Sequence, residues 1–226
     1  MNIPLAKPCL SNDELVALKP VLDSGWLGMG ATVGKFEGAV RDFIGCGHCV
    51  AVNTGTSALH LALEVVGVQG REVIVPSMTF AASVQAILAA GGIPVFAECR
   101  EEDLNLDVDD AMSRVTPNTR AIIPVHYAGT PVDMDRLLSS AHARGLVVIE
   151  DAAHAFGSSF RGRMIGSFGD MTCLASTRSR RSLAVKGVPF VLAILNGRNH
   201  AAASGFSAYR RTPGTGTNRN ALGSTR

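Results

Sequence analysis

Four short stretches of the 226-residue chain carry residue types that could do chemistry. Asn53-Thr54-Gly55-Thr56-Ser57 follows an apolar run and opens a helical one. The first amides of a helix have no partner within it, and with small hydroxyl side chains beside them they can hold an anion such as phosphate. An ordinary capped helix start has the same composition, so this stretch alone leaves both readings open. Glu150-Asp151-Ala152-Ala153-His154 ends the most apolar run with two adjacent carboxylates and a histidine. A capped helix start with a structural histidine is the plain alternative to a functional cluster. His126-Tyr127-Ala128-Gly129 reads equally as a substrate-facing loop or a turn. Cys46-Gly47-His48-Cys49 has C-x-x-C spacing, but no second pair completes a zinc site. The motif also precedes a strand, whereas a redox pair opens a helix, so both cysteines read as structural.

The elements that must position these residues alternate along the chain. Ser11-Asn12-Asp13-Glu14 fits a capping box and starts an amphipathic helix through Leu15, Leu18 and Leu22, which Pro20 weakens or kinks. A second helix carries Val33, Phe36, Val40, Phe43 and Ile44 on one face. Short apolar runs then predict strands at 49–52, 72–76, 93–96, 121–125 and 146–149. Helical stretches at 58–66, 81–90, 108–115 and 134–144 lie between them. Runs of four or five apolar residues separated by helices predict an α/β fold, a mostly parallel sheet with helices on both faces. Sites in such sheets lie beyond the carboxyl ends of the strands, where three of the four stretches fall.

Hydrophobic residues make up 46% of the chain and charged residues 18%, which suits a packed domain and not a disordered one. No apolar run is long enough to span a membrane, and Met1–Leu10 lacks a signal core. Five cysteines at irregular spacing do not form a disulfide framework, so a cytoplasmic protein is expected. The net charge of +2 conceals a break in composition. Residues 1–172 hold twelve Lys/Arg and all nineteen Asp/Glu, a net −7, while residues 173–226 hold nine Lys/Arg and no acid, a net +9. Two kinds of sequence are joined near position 173.

Five ordered blocks carry a resemblance: Asn53–Leu59, Glu72–Ala82, Ala121–Gly129, Val148–Gly157 and Gly162–Asp170. With Ile3-Pro4-Leu5 and Ser24-Gly25-Trp26-Leu27, they resemble the DegT/DnrJ/EryC1/StrS family of sugar aminotransferases over about residues 3–173. The resemblance implies the large domain of fold type I pyridoxal-phosphate enzymes, the aspartate aminotransferase-like fold. It implies that Gly55, Thr56 and Ser57 cradle the phosphate of pyridoxal 5'-phosphate, that Phe80 stacks on its ring, and that Asp151 pairs with the ring nitrogen. His154 would lie near the ring oxygen or the substrate. The family's reaction moves the amino group of glutamate to a nucleotide-linked keto sugar, for surface polysaccharides or antibiotic sugars, in a homodimer.

The pattern then breaks. The family continues with a segment like F-S-F-H-x-x-K, whose serine meets the phosphate and whose lysine forms the Schiff base. Here Ala175 stands at the serine's place and Arg180 at the lysine's, and an arginine cannot form that imine. Lys186 is six residues out of register. The genetic code accounts for the change. Cys-Phe-Ser-Phe-His-Ala-Ile-Lys can be written TGC TTT AGC TTC CAC GCG ATC AAG. Deleting one T yields Cys-Leu-Ala-Ser-Thr-Arg-Ser-Arg, the sequence at 173–180. In the same shifted frame Val185-Lys186-Gly187-Val188-Pro189 is compatible with a Gly-Glu-Gly-Gly-Ala block. Two parts are therefore expected: residues 1–173, an incomplete aminotransferase-like domain, and residues 174–226, a basic, out-of-frame and disordered tail. The chain as written is expected to be truncated and inactive, with an exposed sheet edge and poor solubility. Two alternatives stand beside this: a non-enzymatic protein whose basic tail binds nucleic acid, and a family member that aminates an aromatic ring. The tail has no recognisable nucleic-acid module, so neither nucleic acid nor membrane is expected as a partner.

Overall fold

The computed structural model describes residues 12–175 and 191–195. Helices α1 (Asn12–Asp23) and α2 (Ala31–Ile44) lead into strand β1 (His48–Val52). Three strand–helix units follow: α3 (Gly55–Val66) and β2 (Glu72–Pro76), α4 (Ala81–Ala89) and β3 (Ile93–Ala97), α5 (Val108–Ser113) and β4 (Thr119–Ile122). Helix α6 (Met134–His142) leads to β5 (Val147–Asp151). A small hairpin of β6 (Ser159–Phe160) and β7 (Arg163–Met164) precedes β8 (Met171–Ala175), and β9 (Val191–Leu195) is the last element among the described residues. Among the described residues, seven strands form one sheet in the order β1-β9-β8-β5-β4-β2-β3. Six of them run in one direction, and β9 lies antiparallel between β1 and β8.

Strand alternation sorts the core into two layers. Ile74, Ile122, Val148 and Leu174 face one side, where α2, α5 and α6 bring Val40, Ile44, Ala111, Met134 and Leu137. Val73, Val75, Ala121, Ile123, Ile149, Met171 and Cys173 face the other, covered by Leu59, Leu63 and Ile87 of α3 and α4. Burial on both faces is why the strands read as unbroken apolar runs. The same alternation separates the neighbours Glu150 and Asp151, so that only Asp151 belongs to the α3/α4 side.

The differences from expectation have local causes. The run at 121–125 is regular strand only to Ile122; Pro124 has no N–H to give, and Val125 rejoins β5 by a single bridge to Asp151. No helix starts after Asp151, where the chain makes turns to Ser158, so the capped-helix alternative is set aside. Pro20 lies inside α1, and that helix buries none of its residues. The division expected after residue 173 falls inside β8, whose Leu174 is fully buried. Strand β9 lies within the stretch expected to be disordered; its Val-Leu-Ala-Ile-Leu sequence suits a strand, and β1 and β8 each offer an edge to it. Arg180, Lys186 and the stretch from Arg198 onward lie outside the described residues. Among the described residues, no helix is long and apolar enough to cross a membrane, and no group of three or more His, Cys, Asp or Glu could hold a metal.

Candidate functional site

The loops at the carboxyl ends of the parallel strands enclose a crevice of about 180 Å³. Its wall includes Gly55 and Thr56 after β1, Thr79 and Phe80 after β2, Tyr127 after β4, and Asp151 and His154 at the end of β5. Cys173 and Ala175 of β8 also line it. Five of the six residues singled out by resemblance therefore share one cavity. Ser57 is the exception.

Thr54 explains why. It caps α3 by accepting a hydrogen bond from the Ser57 N–H at 3.0 Å, and its hydroxyl also lies 2.8 Å from Ser57 Oγ. Such a cap stabilises a helix by about 1 kcal/mol. It also uses the donor expected to face a phosphate, which leaves the Gly55 and Thr56 amides at the crevice. The helix end keeps its partial positive charge there.

Asp151 is 6% exposed. Its backbone is fixed by hydrogen bonds to the β4 extension: the His126 N–H donates to its carbonyl at 3.1 Å, and its own N–H donates to the Pro124 carbonyl at 2.9 Å. Opposite in kind is Phe80, the N-cap residue of α4, whose ring is 73% exposed. The Tyr127–Gly129 turn packs on the segment after Asp151. Gly129 has φ +89°, and a Cβ there would come within 3.0 Å of the His154 carbonyl. The Ser158 hydroxyl donates to the Gly129 carbonyl at 2.8 Å, so the two strand-end loops are tied together.

Glu150 turns to the other face. Its Oε2 pairs with His126 Nε2 at 2.9 Å, and its Oε1 accepts from the Gly169 N–H at 2.6 Å and the Thr172 hydroxyl at 2.7 Å. His126 Nδ1 accepts from the Val132 N–H at 3.1 Å, so its proton sits on Nε2 and is donated to Glu150. Both side chains are fully buried. His126, read as loop or turn, is thus a brace beneath the site. Sequence reasoning missed Ser83, Thr79 and Cys173, while Tyr127 falls in the stretch read as a substrate-facing loop or a turn. A hydroxyl one turn into an otherwise Ala/Ile-faced helix was the signal available for Ser83.

A larger cavity of about 470 Å³ lies elsewhere, lined by Cys99–Asp103, Asn105–Asp109, Val132, Asp133 and Arg136. Its lining is rich in acids, and its two arginines are both paired, Arg100 with Glu102 and Asp103 and Arg136 with Asp109. Size alone does not make it the site. The cysteines Cys46, Cys49, Cys99 and Cys173 are free thiols, so the C-x-x-C forms no disulfide.

The arrangement can hold a flat ligand with an anionic group at the start of α3, an aromatic face at Phe80 and a cationic or protonated ring atom at Asp151. The DegT/DnrJ/EryC1/StrS aminotransferase family matches residues 8–177, and the chain belongs to it. The spore coat polysaccharide biosynthesis protein SpsC of Bacillus subtilis (strain 168) is 42% identical over 174 residues, 76% of this chain and 45% of that protein. A putative sugar aminotransferase of Streptococcus pneumoniae, Spr1654, solved in its PLP-form, aligns with a TM-score of 0.84 at 28% identity, covering 93% of this chain and 56% of its own. DesI, solved in the presence of its TDP-sugar product, aligns at 0.80 and 34% identity, covering 91% and 52%. The chain spans about half the length of these relatives.

Proposed function

We propose that this chain carries the cofactor half of a pyridoxal-phosphate-dependent sugar aminotransferase site. The observation that carries the reading is the convergence of a buried carboxylate, Asp151, with the α3 start and Phe80 in one crevice at the strand ends. The residues present fit the group: Gly55 and Thr56 would hold the phosphate, Phe80 would lie on the ring, and Asp151 would keep a proton on the ring nitrogen. His154 would sit by the ring oxygen or the substrate. Ser57 supports the phosphate end through the Thr54 cap. When bound, pyridoxal phosphate supplies an electron-withdrawing ring through which an amino group moves between carbon skeletons.

For the whole protein, we take the amino donor to be glutamate and the acceptor a nucleotide-linked keto sugar, acting in a homodimer. The polysaccharide role of SpsC and the TDP-sugar product of DesI support that choice. We take its setting to be cytoplasmic, in keeping with the free thiols of all four cysteines among the described residues. Among the described residues no lysine lines the crevice, and Arg180 replaces the one the family uses. The 226-residue chain therefore binds the cofactor without covalent attachment and does not transaminate.

Titration with pyridoxamine 5'-phosphate tests this directly. Saturable binding is expected, weakened roughly tenfold or more by Asp151→Asn, a loss of about 1.4 kcal/mol. Borohydride reduction with stoichiometric pyridoxal phosphate should leave Lys186 unmodified. Absence of binding, or covalent fixation at Lys186 with turnover, would overturn the reading. The gene offers a second check: one nucleotide restored at the Leu174 codon should open a frame through a Gly-Glu-Gly-Gly block. The repaired protein should dimerise, attach the cofactor at a lysine in position 180, and transfer an amino group from glutamate. An early stop would refute the out-of-frame tail.

A further inference from the structure

Asp151 is held by a side chain that the functional reading does not use. Ser83, in the first turn of α4, is fully buried, and its hydroxyl donates to Asp151 Oδ2 at 2.8 Å. The Ser83 oxygen also lies 2.8 Å from Thr79 Oγ1. A serine hydroxyl has a single proton, and since it is given to Asp151 Oδ2, Ser83 accepts from Thr79. The order is thus Thr79, Ser83, Asp151, because the other acceptor near the Thr79 hydroxyl, the Phe80 carbonyl, is farther away at 3.4 Å, and each bond polarises the next toward the carboxylate. The other oxygen, Oδ1, accepts from the Ala153 N–H at 3.2 Å. Among the described residues, Ser83 is the side chain that fixes the rotation of this carboxylate; the remaining contact comes from backbone.

We propose that Ser83, backed by Thr79, is a positioning residue: it keeps the Asp151 carboxylate aimed into the crevice before any ligand arrives. The inference rests on the functional reading above, because it gives the aimed oxygen a purpose. It also gives α4 two tasks within four residues. Phe80 presents an aromatic face at the helix start, and Ser83 sets the group that a ring lying on that face would meet. A hydroxyl that merely ties α4 to β5 would look alike in a static structure, so the two roles must be separated by what each changes.

The experiment uses the 226-residue chain, Ser83→Ala and Ser83→Thr, titrated with pyridoxamine 5'-phosphate labelled with 15N in the ring. Ser83→Ala is expected to bind roughly three- to tenfold more weakly, in the range of one ordinary hydrogen bond acting through the carboxylate. The bound ring nitrogen should lose its proton at lower pH than in the unsubstituted chain, and Ser83→Thr should restore both properties. A lower melting temperature with unchanged affinity and unchanged ring titration would overturn the proposal and leave Ser83 as a structural tie. If the unsubstituted chain takes up no pyridoxamine 5'-phosphate, the functional reading fails, and the role of Ser83 is decided in the free chain. There the Asp151 carboxyl-carbon resonance should move in Ser83→Ala and return in Ser83→Thr. A resonance indifferent to both substitutions overturns the inference.

Discussion

Glu150 and Asp151 differ by one position in the chain and by everything around them. Glu150 has a histidine, an amide and a hydroxyl within hydrogen-bonding distance and lines neither of the two cavities described above. Gly169 is part of that arrangement by its lack of a side chain, since a Cβ there would stand 2.9 Å from Glu150 Cγ and 3.0 Å from Oε1. Gly169→Ala should therefore cost about 1–3 kcal/mol, measured by urea unfolding, because backbone and a fully bonded carboxylate must both give way. Cys173 lies on the Asp151 side. Burial, with the nearby Asp151 and Glu150 carboxylates, pushes its thiol well above the ordinary 9.0. An unfolded chain ionises this cysteine near pH 9 while the folded one keeps it protonated, so stability is lost as pH rises past about 9. Iodoacetamide at pH 8 should label the partly exposed Cys99 and spare Cys173 until the chain is unfolded. Prompt labelling of Cys173 in the native chain would contradict its burial.

Among the elements, β9 is bonded on both sides: Ala193 pairs with Val50 of β1 and with Cys173 of β8. A proline in a strand with neighbours on both edges removes a ladder bond wherever its N–H pointed. Ala193→Pro is expected to destabilise the sheet by roughly 3 kcal/mol, and hydrogen exchange should then release the β1 amides before those of β4 and β5. Equal protection in both groups would deny β9 this place. Most of the other elements were legible in the sequence, for a physical reason. Two-sided burial forces continuous apolar strands, and helix starts carry their caps, as Thr54 and Asp107 do. Strand β8 was not read, because its Met-Thr-Cys-Leu-Ala straddles the composition break and mixes polar with apolar residues. The site residues were legible where they follow strands in recognisable blocks. Ser83 was not, because its meaning depends on Asp151, 68 positions away, and no local pattern encodes that meeting.

At the scale of the whole molecule, a large apolar surface gathers toward the N-terminus. Leu15, Val16 and Leu22 of α1 are 62–68% exposed, and Trp26, Leu27 and Met29 are 62–73% exposed. Exposed patches of this kind favour association. The chain should sediment as oligomers or aggregates at micromolar concentration, and a Leu15→Lys, Leu22→Lys double variant should shift it toward the monomer. A monodisperse monomer for the unsubstituted chain would contradict this. The sheet order carries one more consequence. Strand β1 is made early, yet its neighbour in the sheet is β9, which begins 139 residues after Val52 in sequence. On a ribosome adding roughly 5–20 residues per second, β1 waits on the order of ten seconds for that partner to be translated. Through that interval the nascent chain offers an unpaired strand and a half-covered α3, so its yield in a cell depends as much on chaperones as on the stability of the finished fold.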